Sequence, residues 1–244
     1  MIYIEKHSPP KKFVEFVQKN KKAHFDDMPS DVKQILRESL LKEQGYLCAY
    51  CMSRIDNENT KIEHYVPRNN ENELDYKNLL AVCEGKSFGN EKKHQHCDTQ
   101  KGNRTLQIDP QNQSHISQIS YKPDGTIYSK DGKFDNDLNK VLNLNGIESP
   151  KSEDKCEINI KNQKQYNDKY NDVGYLKESR KRALQALTNK IDQINKKFKD
   201  KTVTFNFFKK ALNRYTSFDE NGQRKPYCGI LIEYLEKKIN NWHK

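Results

Sequence analysis

The sequence predicts an α+β fold in which short strands and a group of cysteines lie between helical regions. Two short apolar runs, at residues 61–66 and 78–82, have the length and bounding residues of strands. Apolar residues at helical spacing dominate the C-terminal part of the chain. Four of the six cysteines surround the predicted strands: Cys48, Cys51, Cys83 and Cys97. These observations together place a small metal-stabilised sheet between two helical regions.

Composition divides the chain into three segments. Residues 1–29 form a basic, partly extended lead-in that three prolines interrupt. Residues 30–110 are expected to form a domain, whose part from residue 46 onward holds most of the cysteines and several histidines. Residues 111–244 are expected to be mostly helical and to offer a surface for docking a partner.

The first predicted helix covers residues 30–44, with Ser30 as N-cap and Gly45 at its end. A hairpin is predicted around the Pro123-Asp124-Gly125 turn, with strands near residues 116–121 and 126–128. Two apolar stripes then recur every three or four residues, as on one face of a helix. They are Leu184, Leu187, Ile191, Ile194 and Phe198, and Leu231, Leu235, Ile239 and Trp242.

Charge and hydropathy restrict the classes of partner. Lysine and arginine exceed aspartate and glutamate by 10, and this balance favours a polyanion such as nucleic acid. No segment approaches the roughly 20 apolar residues that a membrane-spanning helix needs. The N-terminus lacks an apolar run of signal-peptide length, so we expect a cytoplasmic protein without a membrane partner.

The cysteines are best explained as zinc ligands. A Cys-x-x-Cys turn such as Cys48-Ala-Tyr-Cys51 lets two thiolates reach one ion, and Cys83 and Cys97 complete a tetrahedral shell. The long separation of the second pair leaves His94 or His96 open as a substitute ligand. Buried free thiols and a redox Cys-x-x-Cys are the other interpretations.

A carboxylate next to a histidine, Glu63-His64, ends the first predicted strand before Pro67. Such a carboxylate can bind a hard divalent cation, and the imidazole can act as general base on a water near a scissile phosphate. Asn78 can brace the loop that carries His64. Asp98 can be a second ligand of the same cation, and Lys101, on the same helical face, can contact phosphate.

The strings Leu-Cys-Ala-Tyr-Cys, Ile-Glu-His-Tyr-x-Pro, Asn-Leu-Leu-Ala-Val-Cys and His-Cys-Asp-x-x-Lys-Gly occur in this order. Over residues 30–110 the chain thereby resembles HNH endonucleases of the ββα-metal type, in the branch whose zinc is held by four cysteines. The strings are most similar to the HNH subunits called PtuB, which belong to the Septu anti-phage system and also accompany some retrons.

The resemblance implies a ββα-metal core with a structural Zn2+ site, flanked by helical regions. It implies that His64 is the general base, that Glu63 and Asp98 bind the catalytic Mg2+ or Mn2+, and that Asn78 positions the loop. Lys101 is implied as a phosphate contact. The chain departs from the most familiar pattern at positions 63 and 98, yet both residues offer the oxygen ligands that these cations prefer.

The resemblance also implies partners. Septu-type HNH subunits work with a PtuA-like ATPase subunit, and retron-associated members add a reverse transcriptase and its DNA. DNA is the expected substrate, and tRNA is the alternative. Two competing functions remain open: a zinc module that binds nucleic acid or protein without cutting, and a sequence-reading homing or restriction endonuclease.

Overall fold

The computed structural model describes residues 1–85, 95–146, 176–198 and 200–242. Within these ranges the chain combines helices with two small antiparallel sheets. Buried residues from the N-terminal helices, the sheets and the C-terminal helices form one hydrophobic core cluster. The predicted mixture of helices and short strands is thus confirmed, while the three-segment division of the chain stays a prediction.

Two helices form the N-terminal part. Helix α1 (Lys11–Lys19) follows Pro10, and α2 (Ser30–Glu43) follows Pro29. Helix α2 confirms the predicted helix, although its N-cap is Pro29 and Ser30 is the first helical residue. Helix α1 lies in the segment predicted to be a partly extended lead-in, so that prediction was incomplete. It packs against α2 and buries Phe13.

The first sheet pairs β1 (Thr60–His64) with β2 (Leu79–Cys83) in antiparallel orientation. The register sets Glu63 opposite Leu80 and His64 opposite Leu79. Every residue of β2 is buried, in agreement with its unbroken apolar sequence. In β1, Thr60, Glu63 and His64 are buried, and Lys61 and Ile62 are half-buried. Both strands lie within one or two residues of the predicted bounds. The short helix α3 (Cys97–Lys101) packs against β2.

The chain then forms helix α4 (Gln113–Ile116) and the predicted hairpin, β3 (Ile119–Tyr121) and β4 (Ile127–Ser129). Gly125 has φ +86° in its turn, a conformation that glycine adopts without strain. Helix α5 (Gly132–Asn136) continues into a π-helical turn at Asp137–Val141.

Three longer helices complete the described chain: α6 (Leu176–Lys197), α7 (Lys201–Thr216) and α8 (Cys228–Asn240). Leu184, Leu187 and Ile191 are buried as predicted, but Phe198 lies beyond the end of α6 and is 43% exposed. Residues 151–175 of the predicted helical region, with Cys156, lie outside the described residues. None of the described helices has the length and apolar character needed to cross a membrane.

A buried arginine joins α6 to the hairpin. The Arg180 side chain is fully buried and donates hydrogen bonds to the carbonyls of Gly125 at 2.7 Å and Leu144 at 2.9 Å. It also donates to Asn145 Oδ1 at 3.0 Å.

A backbone hydrogen bond joins the start of α8 to the cysteine-containing segment: the Tyr227 amide donates to the Met52 carbonyl at 3.0 Å. The start of α8 therefore packs directly against the cysteine-containing segment.

Candidate active site

Four cysteine sulfurs meet at one place in the core. Cys48 and Cys51 come from the loop after α2, Cys83 ends β2 and Cys97 begins α3. The four Sγ atoms lie within 4.8 Å of one another, and two pairs, Cys48–Cys97 and Cys51–Cys83, are 3.8 Å apart. A tetrahedron with Zn–S bonds of about 2.3 Å has sulfur–sulfur edges of about 3.8 Å. The cluster could therefore hold a metal ion such as zinc.

The Cys48–Cys51 turn is fixed by backbone hydrogen bonds. The Cys48 amide donates to the Ser53 carbonyl at 2.9 Å, and the Met52 amide donates to the Cys48 carbonyl at 3.1 Å. The Ala49 amide donates to the Ala81 carbonyl of β2 at 3.1 Å. Burial, and next the neighbouring thiols, raise the pKa of Cys97 well above its ordinary value. A metal ion that replaces these protons would satisfy four sulfurs that water cannot reach.

His96, a possible substitute ligand, borders the cluster. Its Nδ1 lies 3.1 Å from Cys97 Sγ and 4.0 Å from Cys83 Sγ, so it contacts the sulfurs without being needed as a fourth donor. His94 lies outside the described residues. The convergence of four thiols favours a metal cluster over a two-cysteine redox pair.

Glu63 is buried and contacts Tyr50, which lies in the Cys48–Cys51 turn. Its Oε1 is 2.6 Å from Lys101 Nζ and accepts a hydrogen bond from the Tyr50 hydroxyl at 3.2 Å. Burial, and secondarily the adjacent Asp98 carboxylate, raise the pKa of Glu63 to about 8, although Lys101 acts in the opposite direction. Two carboxylates this close cannot both ionise freely, and a divalent cation between them would take the place of the proton.

Asp98 supplies the second carboxylate from the first turn of α3. Its Oδ2 lies 3.5 Å from Lys61 Nζ, and the Lys61 ammonium also donates to Thr99 Oγ1 at 2.9 Å. The structure thus brings Glu63 and Asp98 together, with one lysine beside each carboxylate. Oxygen donors of this kind suit Mg2+ or Mn2+.

His64 contacts different neighbours from Glu63, as expected of successive residues in a strand. Its Nε2 lies 2.9 Å from the Glu73 backbone carbonyl, and its ring meets Phe25 edge-on at 4.8 Å. Because a carbonyl only accepts, Nε2 carries the hydrogen and Nδ1 keeps the lone pair. Burial lowers the pKa of His64 below its ordinary value, which keeps the imidazole neutral at pH 7.

Asn78 closes the loop that connects β1 to β2. Its Oδ1 accepts from the Val66 amide at 2.7 Å, and its Nδ2 donates to the carbonyls of Val66 at 3.0 Å and Asn72 at 3.3 Å. The Tyr65 amide also donates to the Asn78 carbonyl at 2.9 Å. The amide therefore holds both sides of the loop that begins immediately after His64.

The Lys101 side chain is almost completely enclosed by protein, unlike a side chain that binds substrate from solvent. Its side chain is 1% exposed, and its ammonium contacts Glu63 and donates to the His64 carbonyl at 3.1 Å. Sequence reasoning placed Lys101 against phosphate. In the structure it holds together the side chain of Glu63 and the backbone of His64, and a phosphate contact stays a prediction.

Sequence reasoning missed four neighbours of the site: Tyr50, Lys61, Phe25 and Glu73. Two of them carried a signal. Tyr50 lies inside the Cys-x-x-Cys turn, and Lys61 stands two residues before Glu63 on the same face of β1. Phe25 and Glu73 approach His64 only through tertiary packing. Glu73 also accepts hydrogen bonds from the Phe25 amide at 2.9 Å and pairs with His24 at 2.6 Å.

Comparison with known proteins finds distant relatives that are named as HNH endonucleases. No family model matches the chain. The chain is 28% identical over 127 residues to the candidate HNH endonuclease of retron Vc95 from Vibrio cholerae serotype O1 biovar El Tor. It is 30% identical over 95 residues to the candidate HNH endonuclease of retron Ec83 from Escherichia coli. These distant relatives support an HNH endonuclease family.

The two alignments are partial. They cover 49% and 34% of this chain, and the chain spans 60% and 37% of the length of the respective relatives. Both relatives are named after retrons.

Proposed function

We propose that this protein is a metal-dependent HNH endonuclease that hydrolyses phosphodiester bonds of nucleic acid, with DNA as the favoured substrate. One observation carries the proposal: the carboxylates of Glu63 and Asp98 lie side by side, and His64 follows Glu63 directly on β1. A module that only binds nucleic acid has no need of two crowded carboxylates and of a neutral imidazole at the residue that follows one of them. In this proposal β1, β2 and α3 form a ββα-metal core.

The residues take the following roles. Glu63 and Asp98 hold a Mg2+ or Mn2+ ion, which when bound supplies positive charge to the phosphate and to the leaving sugar oxygen. His64 accepts a proton at Nδ1 from the water that attacks phosphorus. The Glu73 carbonyl fixes the tautomer of His64 through the hydrogen bond at Nε2. Asn78 positions the loop after His64, and Lys101 holds Glu63 in place.

The four cysteines hold Zn2+ as a structural ion in this proposal. The ion would link the loop after α2, the end of β2 and the start of α3. The loop after α2 carries Tyr50, β2 pairs with the strand that carries Glu63 and His64, and α3 carries Asp98. The cluster would therefore set the spacing of the catalytic groups. Reduced cysteines in a buried cluster also agree with a cytoplasmic protein.

The biological role follows from the sequence resemblance and from the retron names of the relatives. We place the nuclease as the effector of an anti-phage defence system that works with a PtuA-like ATPase. A retron reverse transcriptase and its DNA would join the complex, and the helices α6, α7 and α8 would offer the docking surface. In retron systems of this kind, tRNA would be the alternative substrate.

A cleavage assay tests the proposal. The purified chain, alone and with any ATPase encoded beside it, is incubated with plasmid DNA and with total tRNA in Mg2+ or Mn2+. We expect cutting that disappears in EDTA and falls at least about 100-fold in His64→Ala, the contribution typical of a general base. The Lys42→Ala variant, which changes an exposed residue of α2, should cut normally.

The outcomes separate the functions. Loss of DNA cutting in His64→Ala supports the nuclease and its expected substrate. Cutting of tRNA alone keeps the chemistry and changes the substrate. Tight binding of both nucleic acids without cutting, in the presence of the ATPase, would instead favour a zinc-containing binding module.

A further inference from the structure

Two lysines stand at the carboxylate pair, and they differ in exposure. The Lys101 side chain is 1% exposed, and both of its contacts are to protein groups at the back of the site. The Lys61 side chain is 40% exposed and lies beside Asp98, which is itself partly open to solvent. Only Lys61 of this pair can therefore reach a ligand without unfolding the site.

The side chains of Lys61 and Glu63 project from the same face of β1. Residues two apart in a strand project from the same face, and β1 keeps regular pairing from Thr60 to His64. Among the described residues, the Lys61 ammonium contacts Asp98 Oδ2 at 3.5 Å and the Thr99 hydroxyl at 2.9 Å. The first contact is long for a charge-assisted hydrogen bond, so the ammonium is free to exchange partners.

The charges around the site explain why the Lys61 ammonium would exchange Asp98 for another partner. Glu63 and Asp98, when ionised, balance the two lysines, so the four groups have a formal charge of zero. A divalent cation at the carboxylates would bring the total to about +2, with both Lys61 and the cation competing for Asp98. A phosphodiester carries one negative charge and would lower this excess, so its oxygen is a suitable new partner for the Lys61 ammonium.

We propose that Lys61 binds a non-bridging phosphate oxygen of the nucleic-acid backbone at the cleavage site. The proposal rests on the nuclease function proposed above and assigns to Lys61 the phosphate contact that the sequence motif placed on Lys101. The ammonium leaves Asp98 when the cation binds and turns to the substrate phosphate, while Lys101 stays on Glu63. Lys61 is thus a substrate-binding residue and Lys101 a positioning residue.

Binding measurements test this role without relying on activity. The His64→Ala chain in Mg2+ serves as background, and Lys61→Ala, Lys61→Arg and Lys42→Ala are added to it singly. Binding of a fluorescent DNA duplex and of labelled tRNA is measured by anisotropy over a range of salt concentrations. Lys42 is an exposed lysine of α2 and controls for the loss of one positive charge.

We expect Lys61→Ala to weaken binding several-fold and to lower the slope of log K against log salt by about one, as for one lost phosphate contact. Lys61→Arg should keep the slope, and Lys42→Ala should leave it unchanged. In the active enzyme, which retains His64, the Lys61→Ala substitution should raise KM more than it lowers kcat. Zinc content and thermal stability should stay normal.

The proposal is overturned if Lys61→Ala and Lys42→Ala have equal affinity and equal salt slope, whether or not the wild-type chain cuts. Absence of binding by the wild-type chain would overturn it as well. If the wild-type chain binds but never cuts, and Lys61→Ala still removes one phosphate contact, the Lys61 assignment stands and the nuclease proposal fails.

Discussion

Lys101 Nζ lies 2.6 Å from Glu63 Oε1 in an ion pair whose two side chains are almost completely enclosed. The pair joins α3 to β1, and the same ammonium donates to the His64 carbonyl. A single buried lysine therefore fixes the side chain of one proposed cation ligand and the backbone of the proposed general base. Its loss should affect folding as well as catalysis.

At pH 9, above the Glu63 pKa of about 8, replacing Lys101 by methionine should destabilise the protein by about 3–5 kcal/mol, because the Glu63 carboxylate would be left buried without its partner. The double variant Glu63→Gln/Lys101→Met should recover much of this loss. Urea unfolding gives the free energies, and Lys61→Met is the exposed control. A loss below about 1 kcal/mol for Lys101→Met would show that the ion pair has no structural importance.

The pH dependence of cleavage should follow His64. Burial lowers its pKa below the ordinary 6.5, so the imidazole is neutral at pH 7 and able to accept a proton. At saturating Mg2+, kcat should be level above pH 7 and fall as the pH drops below about 6.5. A profile whose acid limb has its midpoint above pH 7 would contradict the assignment of His64 as a buried neutral base.

Cys48→Ser should remove the metal ion from the cysteine cluster and lower the melting temperature. Structural zinc contributes about 10–16 kcal/mol in small zinc-dependent domains, and each kcal/mol lost shifts Tm by about 2–4 °C in a chain of this size. Metal analysis should fall from about one zinc per chain to none.

Cys228→Ala is the matched control, since Cys228 is a buried thiol outside the cluster. It should keep the full zinc content. A soluble Cys48→Ser chain with no zinc and unchanged melting would refute a structural role for the cluster.

Tyr50→Phe should weaken the catalytic cation site while leaving zinc in place. The Tyr50 hydroxyl lies in the Cys48–Cys51 turn and donates to Glu63, so it acts as an outer partner of a metal ligand. Loss of such partners lowers metal affinity about 10–100-fold. Mn2+ titration of cleavage measures the change.

Tyr76→Phe is the comparison variant, because the Tyr76 hydroxyl makes a similar bond to Glu43 at 3.2 Å. It should keep the apparent Mn2+ affinity of the wild type. Equal Mn2+ affinity in Tyr50→Phe and the wild type would exclude the link between the cysteine turn and Glu63.

Local pattern was sufficient for several elements of the fold. The apolar spacing of α2, the unbroken apolar run of β2 and the Pro-Asp-Gly turn of the second hairpin were recognisable from sequence. Helix α1 was missed because the prolines before it and its own charges obscured a short apolar stripe of Phe13, Phe16 and Val17. Phe198 was assigned to an apolar face that ends before it, because α6 stops at Lys197.

The sequence by itself determined the candidate site residues: the four spaced cysteines, the Glu63-His64 pair, Asn78, Asp98 and Lys101. Spacing reveals these groups because each motif is local in the chain. Only the tertiary structure decided how the charges are arranged, with Lys101 enclosed against Glu63, Lys61 open to solvent beside Asp98, and Tyr50 bonded to Glu63. Burial and pairing depend on elements that meet from distant parts of the chain, and no local pattern records which of two lysines will lie inside.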